Sequence, residues 1–193
     1  ELDDFEKIGF AKVWLNLLEL LSIPVNPGRV YAIKDWIDAD DSAGSWGAEQ
    51  ADYEGLENSV VVYNDLFVSS SELSAVMGYT IEEVNKLMPW LSALPFQTPI
   101  NINTASVEIL NSLSGNYGPA FIEAVLSGRP FSNVNDFYNQ INEYLALWDP
   151  IKPGVGRANL IWPQHLISVN SDFFKLYLEA EIGEAKMELN SVL

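Results

Sequence analysis

Asp172-Phe-Phe-Lys-Leu-Tyr-Leu-Glu-Ala-Glu181 alternates Phe174, Leu176, Leu178 and Ala180 with Lys175, Tyr177, Glu179 and Glu181. That is the period-two signature of a strand with one face turned inward. After a turn at Gly183 the alternation resumes through Met187 and Leu189, so the segment predicts a β-hairpin with one buried face. Two strands alone are marginal in water, and the apolar face needs further strands or a helix to cover it. An earlier part of the sheet is therefore expected to lie outside this chain.

Everything before the hairpin reads with helical period. From Asp3 to Leu21, Phe5, Ile8, Trp14, Leu17, Leu18 and Leu21 recur at helical spacing, with acids in the first turn and Pro24 beyond the end. A Pro-Gly turn at Pro27-Gly28 then leads into a second short helix through Val30, Ile33, Lys34 and Ile37. Ser69-Ser-Ser-Glu72 and Thr80-Ile-Glu-Glu83 fit the capping box, in which hydroxyl and carboxylate satisfy the free amides of a helix start. They predict helices over Ser71 to Met77 and Ile81 to Leu91. Val107 to Leu113, Ala120 to Leu126 and Asn133 to Leu147 continue the series, and the Pro- and Gly-rich run from Trp148 to Gln164 predicts an irregular connection. The class is α+β: an antiparallel hairpin joined to a large helical part.

The 193 residues are 48% hydrophobic and 12% aromatic, enough for a packed core of about 70% burial. With 27 Asp and Glu against 10 Lys and Arg, the formal charge of −17 repels phosphate backbones and anionic lipid headgroups. The absence of cysteine excludes disulfides, thiol nucleophiles, Cys-ligated zinc and iron–sulfur clusters. No apolar run of about 18 residues occurs in the sequence.

The acidic loop from Asp38 to Asp52 carries the loudest chemistry. No Lys or Arg occurs between Lys34 and Lys86, while Asp35, Asp38, Asp40, Asp41, Glu49 and Asp52 fall close together. Carboxylates so crowded repel one another and shift upward in pKa unless a cation neutralises them. Oxygen-only ligands with no nearby His favour calcium over zinc. With Asp38 as position 1, Asp40 is 3, Ser42 is 5, Gly44 is 7 and Glu49 is 12, the ligand spacing of an EF-hand loop. Position 6 is Ala43 rather than the Gly that turn demands, and position 8 is Ser45 rather than apolar, so the loop is not an EF-hand. Six carboxylates leave room for one ion or two. The alternative reading is a solvated acidic loop.

Catalytic constellations are thin. His165 is the single histidine and has no acid near it in sequence, so a Ser/His/Asp triad would have to be assembled by the fold. Lys152-Pro-Gly-Val-Gly-Arg157 lacks the Gly-Lys-Ser/Thr ending of a P-loop and reads as a turn. No enzymatic activity is expected. Pro99-Ile-Asn-Ile-Asn-Thr-Ala-Ser-Val-Glu-Ile-Leu110, with Gly128-Arg-Pro-Phe-Ser-Asn-Val-Asn-Asp-Phe137, resembles a helix-hairpin-helix module of the kind that grips DNA. Nucleic-acid binding is thus the alternative function. Yet Arg129 is the only cation between Lys86 and Lys152, too few for counterion release, and the module reads as a packing scaffold.

Asp35-Trp-Ile-Asp-Ala-Asp40, Gly47-Ala-Glu49 with Tyr53, Pro99-Ile-Asn-Ile-Asn-Thr-Ala105 and the closing strand pair together resemble the minor pseudopilin K family of the bacterial type II secretion system. The resemblance runs over most of the chain. It implies a pilin-like antiparallel sheet, here reduced to the C-terminal hairpin. Into it is inserted a large all-helical domain of two SAM-like, helix-hairpin-helix-like subdomains. On that reading residues 1–98 are the first helical subdomain with the acidic loop, 99–147 the second, and 148–193 the connection and hairpin. The resemblance also implies a non-enzymatic protein at the pseudopilus tip that binds minor pseudopilins I and J and helps initiate fibre assembly for export of folded proteins. Secreted cargo or the secretin are further possible partners. The chain would be a periplasmic fragment of a protein tethered to the inner membrane of a Gram-negative bacterium, without its anchor. The family is similar in binding calcium in the helical domain. Carried onto this sequence, Asp38, Asp40 and Glu49 are the best ligand candidates, with Asp35, Asp41 and Asp52 as candidates for a second ion or for supporting contacts.

Overall fold

The computed structural model describes residues 9–44, 46–56, 59–114, 118–148, 162, 164–183 and 185–192. Helix α1, Phe10–Leu20, ends in a turn where Ser22 takes a left-handed φ of 54°. Helix α2, Pro27–Ile37, starts earlier than the sequence suggests: Pro27 and Gly28 form its first turn instead of a turn before it, with the Asn26 side chain accepting from the Gly28 amide. Helix α3, Gln50–Glu54, is a short helix at the end of the predicted acidic loop.

Both capping boxes are present. The Glu72 carboxylate accepts from the Ser69 amide at 2.7 Å, and Glu83 from the Thr80 amide at 3.0 Å. They open a 3₁₀ helix, Ser70–Ala75, and helix α4, Ile81–Leu87. The expected helix to Leu91 tightens instead into a 3₁₀ turn, Met88–Trp90, at Pro89. Proline has no amide to donate into the α ladder. Helices α5 (Val107–Ser114), α6 (Pro119–Gly128) and α7 (Val134–Trp148) follow. The helix turns predicted before Gly9 and most of the connection after Trp148 lie outside the described residues.

Two apolar clusters organise these helices. The first gathers Leu17, Leu18, Trp36, Tyr53, Val84 and Leu87, and the second gathers Ile102, Leu110, Phe121, Phe137, Ile141 and Trp162. Helix α1 lies on α5, where the Asn16 side chain donates to the Ser112 carbonyl at 2.7 Å, and Ile109 touches both clusters.

A small parallel bridge, not foreseen from sequence, pairs strand β1 (Ile100–Asn101) with β2 (Ile167–Ser168). Strands of two residues carry no visible period. The bridge is held instead by Asn103, whose side chain spans the Phe131 and Val169 carbonyls at 2.9 and 3.1 Å and accepts from the Phe131 amide at 2.8 Å.

The hairpin forms as predicted, with β3 (Lys175–Ile182) antiparallel to β4 (Ala185–Val192) and Leu178 opposite Leu189 and Ala180 opposite Met187. Its expected buried face is a correction: Leu178, Met187 and Leu189 are 50%, 71% and 54% exposed. The alternation aligned the apolar side chains on one face, but among the described residues no second layer covers them.

Candidate metal centre

The acidic loop leaves the C-terminus of α2, where aligned peptide dipoles already carry negative partial charge. Placing Asp35 and Asp38 there is unfavourable unless positive charge is added. Asp38 is the cap, with extended backbone and its amide bonded to the Lys34 carbonyl. Asp35, one turn earlier, points inward, is 1% exposed, and accepts from the Gly44 amide at 3.0 Å. The loop folds so tightly over this carboxylate that a Cβ at Gly47 would collide with it. A side chain is excluded there by contact rather than by backbone conformation.

The other end of the loop is anchored by α3. Tyr53 is fully buried, stacks edge-on against Trp36 at 5.5 Å, and its hydroxyl accepts from the Met77 amide at 2.9 Å. One helical turn back, Glu49 is thereby drawn into the interior. The Glu49 amide donates to the Asp52 carboxylate at 2.9 Å. Glu49 is 4% exposed, and neither of its carboxylate oxygens has a hydrogen-bond partner.

Asp38, Asp40 and Glu49 each offer one carboxylate oxygen, and the three oxygens lie within 4.8 Å of one another. These are positions 1, 3 and 12 of the predicted spacing. Burial first, then the neighbouring Asp40 and Asp35 carboxylates, push the Asp38 pKa up against a smaller opposing pull from Lys34. Burial followed by Asp35, Asp38, Asp41 and Asp40 does the same to Glu49. One Asp38 oxygen is also buried without a partner. Buried charge of one sign with unused lone pairs is what a hard cation satisfies, since calcium takes oxygen ligands at about 2.3–2.6 Å and so bridges oxygens up to roughly 5 Å apart. The donor set fits such an ion.

The remaining candidates stand apart from that trio and are engaged within the loop. Asp35 holds Gly44, exposed Asp52 caps Glu49, and Asp41 accepts from the Asn64 side chain at 2.8 Å. Asn64 also reaches the Asp40 carbonyl at 3.2 Å, at a left-handed φ of 49°. Sequence reasoning missed this residue. It lies more than twenty positions away, and the Asn-Asp pair in Tyr63-Asn-Asp-Leu66 was its only signal.

His165 is exposed in a 3₁₀ turn, Gln164–Leu166. Arg129, the cation a helix-hairpin-helix would turn to DNA, instead donates to the Ala105 carbonyl at 2.8 Å within the fold. Residues 115–117 of the predicted hairpin and 152–157 of the Gly-rich turn lie outside the described residues.

Residues 7–96 and 100–144 match two family models, each described as type II secretion system protein K. The chain is 32% identical to the type II secretion system protein K of Aeromonas hydrophila, over 98% of this chain and 57% of that protein. It is 27% identical to the protein of the same name from Pseudomonas aeruginosa, over 83% of this chain and 45% of that one. In shape it is similar to a chain in the crystal structure of the GspK–GspI–GspJ complex from the enterotoxigenic Escherichia coli type 2 secretion system. That likeness has a TM-score of 0.73 at 25% identity and covers 94% of this chain and 63% of the other. The chain thus spans about half the length of the curated relatives it matches.

Proposed function

The chain belongs to the type II secretion system protein K family, and from that premise we propose that it works as a minor pseudopilin. In this role it catalyses nothing. It joins minor pseudopilins I and J at the pseudopilus tip and helps start the fibre that moves folded proteins across the outer membrane. The observation that carries this reading is its likeness to a chain of a K–I–J complex, which extends over 94% of the residues given. No helix among the described residues is long and apolar enough to cross a membrane. A place in the periplasm, tethered to the inner membrane, follows from the family. Secreted cargo and the secretin are further candidates for contact.

The acidic loop belongs to the same proposal. Asp38, Asp40 and Glu49 would hold one calcium ion, with Asp35, Asp41 and Asp52 supporting the loop or serving a second ion. The ion would supply the positive charge that this stretch lacks, and its role would be stability rather than chemistry. The division at 1–98, 99–147 and 148–193 makes the helical units a cap carried on a pilin-like sheet. Gel filtration of this chain mixed with the periplasmic parts of pseudopilins I and J from the same organism tests the central claim. A ternary complex is expected, and separate elution at micromolar concentration in calcium-containing buffer would sink it.

A further inference from the structure

The segment Ser59–Tyr63 has an edge that nothing in the site above uses. Its burial alternates strictly: Ser59 exposed, Val60 half-buried, Val61 exposed, Val62 half-buried, Tyr63 exposed. That is the period of an extended strand. The inner side chains, Val60 and Val62, pack on the first apolar cluster. One backbone edge is already taken. The Gln50 side-chain amide donates to the Val60 carbonyl at 3.3 Å and accepts from the Val62 amide at 2.9 Å, as a neighbouring strand's peptide group would.

In an extended chain the amide and carbonyl of Val61 point to the opposite edge. Among the described residues neither makes a backbone hydrogen bond. After Ser59 the side chains on the outer face are large and bare, with Val61 67% and Tyr63 77% exposed. The far end is pinned, because Asn64 is tied to both Asp40 and Asp41. An open strand edge with apolar side chains is a template for another chain, and proteins ordinarily blunt such edges with lysine or proline. This one has neither. No Lys or Arg occurs from Asp35 to Asn85, whereas Asp65 follows in the chain and Asp40 and Asp41 are bonded to Asn64, so the end of the segment carries negative charge.

We propose that Ser59–Tyr63 is a docking edge that takes up an extended, apolar segment of a partner protein flanked by Lys or Arg, adding it as a strand alongside Val61. Main-chain bonds at Val61 supply the affinity, the exposed valine and tyrosine grip alternate side chains, and the acidic surroundings select basic flanks. The inference does not depend on the pseudopilin reading.

A fluorescent, end-blocked heptapeptide Lys-Val-Thr-Val-Thr-Val-Lys, titrated with the whole chain and followed by anisotropy, tests it. Saturable binding is expected, weakened at least about tenfold when the end lysines become glutamates, and about tenfold when the peptide's central valine is N-methylated. Val61→Pro, which removes the outward amide from an exposed position, should lose binding to a similar degree. The thermal midpoint is measured alongside, and the N-methylated peptide puts the same question to the unaltered protein should that variant unfold. No saturation up to about 1 mM peptide overturns the proposal, as does equal binding of the N-methylated peptide.

Discussion

The two apolar clusters have similar size and helical make-up, yet they differ in the kind of buried polar group left unpaired beside them. Around the second cluster, buried polar groups find partners inside the protein. Asn103 makes three backbone contacts, the Tyr138 hydroxyl donates to the Trp162 carbonyl at 2.7 Å, and Gln140 donates to the Ala124 carbonyl at 2.9 Å. What is left over there is two single N–H donors, on Arg129 and Trp162. Beside the first cluster, single groups on Arg29, Trp36 and Asn64 are left over too, but with them stand three carboxylate oxygens, both of Glu49 and one of Asp38. One unused N–H on a side chain is a modest local cost, whereas clustered buried carboxylates repel one another unless a counter-ion offsets them. Among the described residues the second region leaves no buried carboxylate oxygen unpaired, whereas the first leaves three, where the proposed calcium ion would act.

The largest expected effect falls on the second cluster's side. Phe137 is 1% exposed, stacks flat on Trp162 at 5.1 Å and meets Phe131 edge-on at 5.4 Å. Phe137→Ala should cost about 3–5 kcal/mol in urea unfolding. That loss should be the same in EDTA and in calcium, since no charge is involved. A loss that calcium largely repairs would mean the two regions share one ion-dependent core.

The next effect sharpens the other side. Calcium at about 100 times its Kd should stabilise the parent protein by about 2.7 kcal/mol, with magnesium doing much less. Glu49→Gln should abolish that gain while making the metal-free protein more stable than the metal-free parent, because it removes a buried charge that has no partner. The opposite signs are the diagnostic. If Glu49→Gln weakens the metal-free protein, the carboxylate has a partner within the chain and the loop needs no ion.

The same contrast explains what could be read from the sequence. Charge counting over residues 35–52 pointed to six carboxylates, because a loop with no nearby Lys or Arg cannot hide its imbalance, and the spacing and the family resemblance put first Asp38, Asp40 and Glu49, whose oxygens the fold brings together. How the other three are engaged was not legible, since it depends on Gly44, Asn64 and the Glu49 amide. The helices were legible from period and caps. The parallel bridge was not, because Asn103 ties together segments 28 and 66 positions away, which no local pattern reports. The hairpin's register and apolar face were legible, but burial depends on a layer that alternation cannot supply.

A smaller effect concerns the one ion pair that fastens α2 to α4. Arg29 donates to both Glu83 oxygens at 3.0 and 3.1 Å and lies over the Tyr79 ring at 5.0 Å. Burial pulls the Glu83 pKa upward, but the Arg29 and Thr80 hydrogen bonds and the charges of Arg29 and Lys86 outweigh it, leaving the value below the usual 4.5. A carboxylate depressed in this way contributes stability that is present above its unfolded value and lost as pH falls through its folded one. Glu83→Gln should therefore cost about 2 kcal/mol at neutral pH. The gap between parent and variant should close as pH drops below about 4.5. A gap that persists at pH 2 would assign the loss to packing instead of charge.

The smallest effect belongs to the hairpin, where charges are as close but lie in water. Lys186 sits 3.0 Å from Glu179 and 3.2 Å from Glu188, with all three side chains about half exposed. Solvent screens such pairs, and holding three long side chains in place costs entropy. Lys186→Met should change the unfolding free energy by about 0.5 kcal/mol or less at 0.15 M salt, against about 2 kcal/mol for the pair buried beside Tyr79. The distances at the two sites are alike, so the ratio reports burial together with the Thr80 and Tyr79 contacts that only the Arg29–Glu83 pair has. A loss at Lys186 equal to that at Glu83 would mean the exposed strands depend on their charges, and the backbone ladder would then be insufficient to hold Leu178 opposite Leu189.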